Sequence, residues 1–206
     1  MTSPAYRFIY LASQSPRRVQ LLAQLGVEHQ PLLPAQRENA ERLEELRPGE
    51  PPVDYVRRVA LAKLLAARTR RQNRGLPEAP ILTADTTVAL GRRVLGKPLD
   101  AADAAATLQA LSGRVHQVLT AVAVSHGAQS LLALSTSRVR FATLSAGTID
   151  KYIASGEPFG KAGAYAIQGP ISAWIERVEG SYTGIMGLPL FETRELLARA
   201  RVRFGY

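Results

Sequence analysis

The stretch Phe8-Ile9-Tyr10-Leu11-Ala12-Ser13-Gln14-Ser15-Pro16-Arg17-Arg18 sets the fold class. Arg7–Ala12 is a compact apolar run containing the β-formers Phe8, Ile9 and Tyr10, and reads as a first strand. Ser15 followed by Pro16 reads as a helix start, a hydroxyl N-cap and then proline at the first helical position. Leu21, Leu22 and Leu25 give that helix an apolar face, and Gly26 is its natural stop. Strand, polar loop and helix N-terminus together present free backbone N–H groups and a positive dipole end to an anion. Hydroxyls beside Arg17 and Arg18 suit a phosphate chain; an ordinary capped helix with solvated arginines reads equally well from these residues alone.

Downstream, strands and helices keep alternating. His29–Pro34 reads as a short strand, and 35–52, acidic and proline-punctuated, as a mobile loop. A long helix is expected over Val53–Arg74, with Val56, Val59, Ala60, Leu64 and Ala67 on one face. Its other face carries Arg57, Arg58, Lys63, Arg68, Arg70, Arg71 and Arg74. Pro80–Leu90 is a buried strand broken by Thr83, Asp85, Thr86 and Thr87, with a hairpin turn at Gly91-Arg92-Arg93. Asp100 and Asp103 resemble a capping box for an alanine-rich helix to Leu111. Val115–Ser125 and Leu131–Ala142 read as long strands, and Ser145 caps a helix to Ser155. Ala164–Gly169 is expected to be a short extended piece, Ile171–Val178 a strand, and Pro189 the start of a final helix to about Ala200. No repeat or linker divides the 206 residues, so one mixed α/β domain over 1–206 is expected.

Composition narrows the function classes. The 46% hydrophobic content supports a buried core, and the absence of cysteine excludes disulfides, thiolate metal sites and a cysteine nucleophile. No apolar run approaches the ~20 residues that span a membrane. A soluble, untargeted, cytoplasmic protein is the expectation. Twenty-six basic residues outweigh 17 acidic ones, giving +9, yet only four of the 26 are lysines: Lys63, Lys97, Lys151 and Lys161. The arginine-rich helix face admits nucleic-acid binding, but it lacks interleaved aromatics, so a solvated face is the plainer reading and nucleic acid is not expected as a partner.

Asp85 is the sharpest anomaly. An aspartate inside an apolar strand loses hydration unless a partner compensates it. It therefore faces a cation or a water to be activated, or else is a structural residue bonded to a neighbouring loop. Gly91 to Pro98 nearly spells a P-loop but places proline where Mg²⁺ needs a hydroxyl, so a P-loop is rejected. Lys97 is left free to reach an anion. The three histidines show no metal-ligand spacing.

Six motifs then fall in one order: Leu11–Arg18, Ala84-Asp85-Thr86-Thr87-Val88, Gly96-Lys97-Pro98, Leu111-Ser112-Gly113, Lys161–Gly169 and Gly187-Leu188-Pro189. From Phe8 to about Leu197 the chain resembles the Maf family of nucleoside triphosphate pyrophosphatases. The resemblance implies a mixed, elongated α/β sheet flanked by helices, with two lobes around a cleft, related to inosine triphosphate pyrophosphatases. It implies hydrolysis of a nucleoside triphosphate to the monophosphate and pyrophosphate, assisted by a divalent cation, Mg²⁺ or Mn²⁺. By the same resemblance Asp85 is the proton acceptor, and Glu38 and Asp85 hold the metal. Lys63, Lys97 and Lys161 neutralise the phosphate chain, and Ser13, Ser15 and Arg18 line the pocket. Arg17, Thr86 and Gln168 stand where the family divides by substrate, and resemble the branch acting on dTTP and UTP. The Gln168 amide both donates and accepts, matching the mixed edge of uracil or thymine.

Two positions depart from the family's pattern: Gly160 replaces an aspartate, and Ala166 a glycine. The expected function is thus a dTTP/UTP pyrophosphatase, extending to modified pyrimidine nucleotides and serving nucleotide-pool cleansing or restraint of division. Its rivals are the same chemistry on 7-methyl-GTP or another purine nucleotide, and a basic DNA-binding regulator without catalysis. A homodimer is the association the family commonly shows.

Overall fold

The computed structural model describes residues 6–35, 38 and 40–205. Its centre is one seven-stranded mixed sheet. The strands are β1 (Phe8–Leu11), β2 (Glu28–Pro31), β3 (Ile81–Leu90), β4 (Arg93–Leu95), β5 (Val115–His126), β6 (Gln129–Phe141) and β7 (Ile175–Glu179). They lie in the order β2-β1-β3-β5-β6-β7, with β4 also paired to β3. β1 runs parallel to β2 and β3, and every other pairing is antiparallel. The helices are α1 (Pro16–Gln24), α2 (Pro52–Asn73), α3 (Ala101–Leu111), α4 (Ala146–Ala154), α5 (Tyr182–Ile185) and α6 (Leu190–Arg199). The expected mixed α/β sheet flanked by helices is therefore the fold observed.

Side-chain alternation assigns the two faces of the sheet. Tyr10, Ile81, Ala89, Leu119, Ala121 and Ala123 pack against Val56, Val59, Ala60 and Leu64 of α2. Their neighbours Ile9, Leu11, Leu82, Ala84, Val122 and Val124 face the other way, against Leu21 and Leu22 of α1 and Leu196 and Leu197 of α6. A third cluster joins Val118, Val139 and Phe141 to Leu108 of α3 and Ile149 of α4. Burial of these side chains at about 25 cal/mol per Å² is the main force setting helices on both faces.

One break in the sheet creates the cleft. β1 ends at Leu11, opposite Leu82, and Ala12 still donates its N–H to the Leu82 carbonyl. β4 begins pairing only at Val88. Between them that edge of β3 has no strand neighbour, and Ala84–Thr87 line a cavity of about 540 Å³.

Several local expectations are corrected. Ser15 makes no side-chain cap on α1; Ser13 Oγ instead accepts the Ser15 N–H at 3.2 Å, leaving the first turn of α1 uncapped toward the cleft. Asp100 does cap α3, accepting the Asp103 N–H, and Asp103 reaches back to the N–H of Leu99. The loop before α2 contains a turn of 3-10 helix at Ala40–Glu44. Positions 36, 37 and 39 of that expected loop lie outside the described residues. Within the expected extended piece Ala164–Gly169, Tyr165 is extended, but tight turns flank it: 161–164, where Gly163 at φ +69° lies against Val88, and 166–169. The expected strand over Ile171–Val178 begins only at Ile175, since Pro170 opens a 3-10 turn to Trp174.

Candidate active site

The free edge of β3 puts Asp85 and Thr86 on opposite faces of the strand, both opening into the cleft. Asp85, 6% exposed, points toward α2. Its Oδ1 accepts from Lys63 Nζ at 2.7 Å, about three turns into α2. Lys63 also meets Glu44 Oε1 at 2.8 Å, and Glu44 Oε2 takes Lys97 Nζ at 2.8 Å. Asp85–Lys63–Glu44–Lys97 is thus one alternating chain of charges along the cleft wall. Burial works to raise the Glu44 pKa, but Lys63 and Lys97 overcome it and hold the carboxyl below its usual range.

Glu44 reaches this place through two anchors on α2. Tyr55 Oη donates to the Glu44 carbonyl at 2.9 Å. Arg58 grips Glu50 with two donors and gives others to the carbonyls of Leu43 and Glu45. Burial, with Asp85 and Glu44 nearby, pushes the Tyr55 phenol well above its usual value, so it remains a donor.

The opposite face is organised by Arg18. Its Nε donates to the Gly187 carbonyl at 2.8 Å, Nη1 to Ser13 Oγ at 3.1 Å and Nη2 to Thr86 Oγ1 at 3.4 Å. Burial pulls this guanidinium below its ordinary pKa while Asp85 opposes the shift. Thr86 Oγ1 lies 2.9 Å from Thr120 Oγ1, across the β3–β5 ladder. Arg17 Nε reaches the Met186 carbonyl at 3.4 Å.

The far wall is the segment 157–169. Lys161 Nζ donates to the Glu157 carbonyl, and Gln168 stands exposed on the rim with Phe159 beside Lys161. Gly169 lets the Glu157 carboxylate lie against the backbone: a Cβ would fall 1.8 Å from its oxygen and displace it. Gly160 has φ +73° with open space around it, and Lys161 takes its orientation from the Glu157 backbone carbonyl.

Ser13, Ser15, Arg17, Arg18, Lys63, Asp85, Thr86, Lys97, Lys161 and Gln168 therefore all line one cavity. Glu38 does not. It is bound by Arg70, whose Nη2 lies 2.6 Å from Oε2, and Arg70 also donates to the Leu32 carbonyl. The carboxylate that meets Lys63 is Glu44, which sequence reading passed over. The loop carries several glutamates without distinctive spacing, and only the Tyr55 and Arg58 anchors single out this one. Among the described residues no group of three His, Cys, Asp or Glu stands together. A cation here would have two protein carboxylates, Asp85 and Glu44, and would complete its shell with substrate phosphates and water, as Mg²⁺ commonly does.

The basic face of α2 is largely spent on the protein itself. Arg68 donates to the carbonyls of Gly127, Ala128 and Gln129, Arg74 to that of Leu33, and Arg58 and Arg70 to glutamates. No described helix is long and apolar enough to cross a membrane.

The family described as Maf-like protein matches residues 8–200. A protein of Cupriavidus pinatubonensis named dTTP/UTP pyrophosphatase is 59% identical, over 96% of this chain and 98% of its own. A protein of Burkholderia pseudomallei with the same name is 57% identical over 98% of both chains. A solved nucleoside-triphosphatase, a dITP/XTP pyrophosphatase of Mycobacterium abscessus, aligns with a TM-score of 0.41 and 20% identity, over 67% of this chain and 76% of that one.

Proposed function

Since the chain belongs to the Maf-like protein family, we propose that it hydrolyses dTTP and UTP to the monophosphate and pyrophosphate. The observation that carries this reading is the charge chain Asp85–Lys63–Glu44–Lys97, set in a cleft that also holds Arg17, Arg18 and Lys161.

The chemistry follows from that arrangement. Asp85 accepts a proton from water as the water oxygen bonds to the α-phosphorus. The bond from that phosphorus to the bridging oxygen breaks, and pyrophosphate leaves with the electron pair. Lys63, Lys97 and Lys161 offset the negative charge of the phosphates, which is the chief demand of phosphoryl transfer. The Arg17 N–H, in the uncapped first turn of α1, adds a backbone donor to the same task. A divalent cation held by Asp85 and Glu44 supplies further charge neutralisation when bound. Thr86, with Arg17 and Gln168, selects the base. The protein acts where its nucleotide substrates are, in the cytoplasm.

A nucleotide panel with pyrophosphate detection, run with and without Mg²⁺, tests this. Release from dTTP and UTP, and its loss without the cation, is expected. Preference for 7-methyl-GTP or another purine, or no release from any nucleotide, contradicts it.

A further inference from the structure

Thr120 belongs to no motif singled out in the sequence, and it is 1% exposed on β5. It lies directly opposite Thr86 in the antiparallel ladder, with the two hydroxyl oxygens 2.9 Å apart. Its Oγ1 also lies 2.8 Å from the Gly184 carbonyl oxygen. A carbonyl oxygen only accepts, and a threonine hydroxyl carries a single proton. The Thr120 proton is therefore committed to Gly184, and the bond between the two threonines must be donated by Thr86. With its own proton spent on Thr120, Thr86 Oγ1 offers lone pairs only. One of them faces Arg18 Nη2, at 3.4 Å. To anything entering the cleft, Thr86 is an acceptor.

We propose that Thr120 is a positioning residue for base selection: the relay Thr86 → Thr120 → Gly184 locks Thr86 as an acceptor for the N3–H of uracil or thymine. Uracil and thymine carry a donor at N3, whereas cytosine carries an acceptor there, which would face the Thr86 lone pair without a proton between them. Two unshared lone pairs in a partly dehydrated site cost affinity, so the relay favours UTP over CTP. Removing the Thr120 oxygen frees the Thr86 hydroxyl to rotate and donate, which erases the distinction. The Gly184 carbonyl keeps the Gly187 N–H as a partner at 2.9 Å, so the change leaves it bonded. The inference rests on the dTTP/UTP reading and deepens it.

The test compares kcat/KM for UTP and CTP in the wild type, Thr120→Val and Thr120→Ser, with melting temperatures alongside. The wild type is expected to prefer UTP, Thr120→Val to lose about tenfold of that preference through KM, and Thr120→Ser, which keeps the relay, to retain it. Should Thr120→Val not fold, Thr86→Val removes the acceptor itself and is expected to show the same loss. A wild type active on UTP whose preference survives both valine variants, or which shows no preference, overturns the relay alone. A wild type releasing no pyrophosphate from UTP overturns the functional reading and the relay with it.

Discussion

The two faces of β3 at its free edge are built by different means. On the α2 face, Asp85, Lys63, Glu44 and Lys97 are brought together by charge from a strand, a helix, a loop and a hairpin end. On the α1 face, Thr86, Thr120 and Arg18 are fixed by hydrogen bonds that end on backbone carbonyls, Gly184 and Gly187. Ion pairs can exchange partners when a more highly charged ligand arrives, whereas bonds to ladder and turn carbonyls are set by the fold. On the proposed function the difference matches the tasks: phosphates and a cation would enter and leave the first face, while the second would hold one pattern of donors and acceptors.

Substitutions separate the faces, the largest effect first. Lys63→Met takes the cation from between two carboxylates and from the phosphate path. A loss of roughly 10²–10³ in kcat/KM for UTP is expected, with the UTP-to-CTP ratio unchanged. A changed ratio would mean that the faces are not separate. Glu44→Gln should cost about 10- to 100-fold in turnover, assayed over a Mg²⁺ titration, while Glu38→Gln stays within about twofold. The reverse ranking would return the metal role to Glu38.

That pair also shows where the sequence was legible and where it was not. Asp85 stood out because a lone carboxylate in an apolar strand breaks a strict physical rule, and Ser13–Arg18 because hydroxyls and two arginines meet at a helix start, a pattern an ordinary capped helix shares. Glu44 is placed by hydrogen bonds from Tyr55 and Arg58, 11 and about 14 residues further on, and no local pattern encodes such tethers. Thr120 was hidden for another reason. A threonine in an apolar strand reads as a β-former, and its role appears only when the ladder register sets it opposite Thr86. The turn at Ala162–Ala164 escaped because Gly163 packs against Val88 from a distant strand, and that at Pro170–Trp174 because the apolar run after Pro170 reads as a strand.

An effect on stability rather than turnover lies beneath the cleft. His116, 1% exposed, meets Tyr165 Oη at 2.8 Å, and burial pulls its pKa from 6.5 down to about 4. The unfolded chain takes this proton near pH 6.5 and the folded one only near pH 4, so the stability present above 6.5 is lost as pH falls through that window. The loss amounts to about 3 kcal/mol. In urea titrations, His116→Gln should lose less stability than the wild type between pH 7 and pH 4; equal losses would contradict a neutral buried imidazole.

The most direct measurement pairs turnover with binding in Asp85→Asn. The amide is close to the carboxylate in shape but cannot take a proton from water. Pyrophosphate release from UTP should fall by roughly 10²–10⁴, while UTP affinity measured by calorimetry stays within a few-fold and the UTP-to-CTP binding preference persists. Turnover retained in that variant would contradict the assignment of the chemistry to this strand edge.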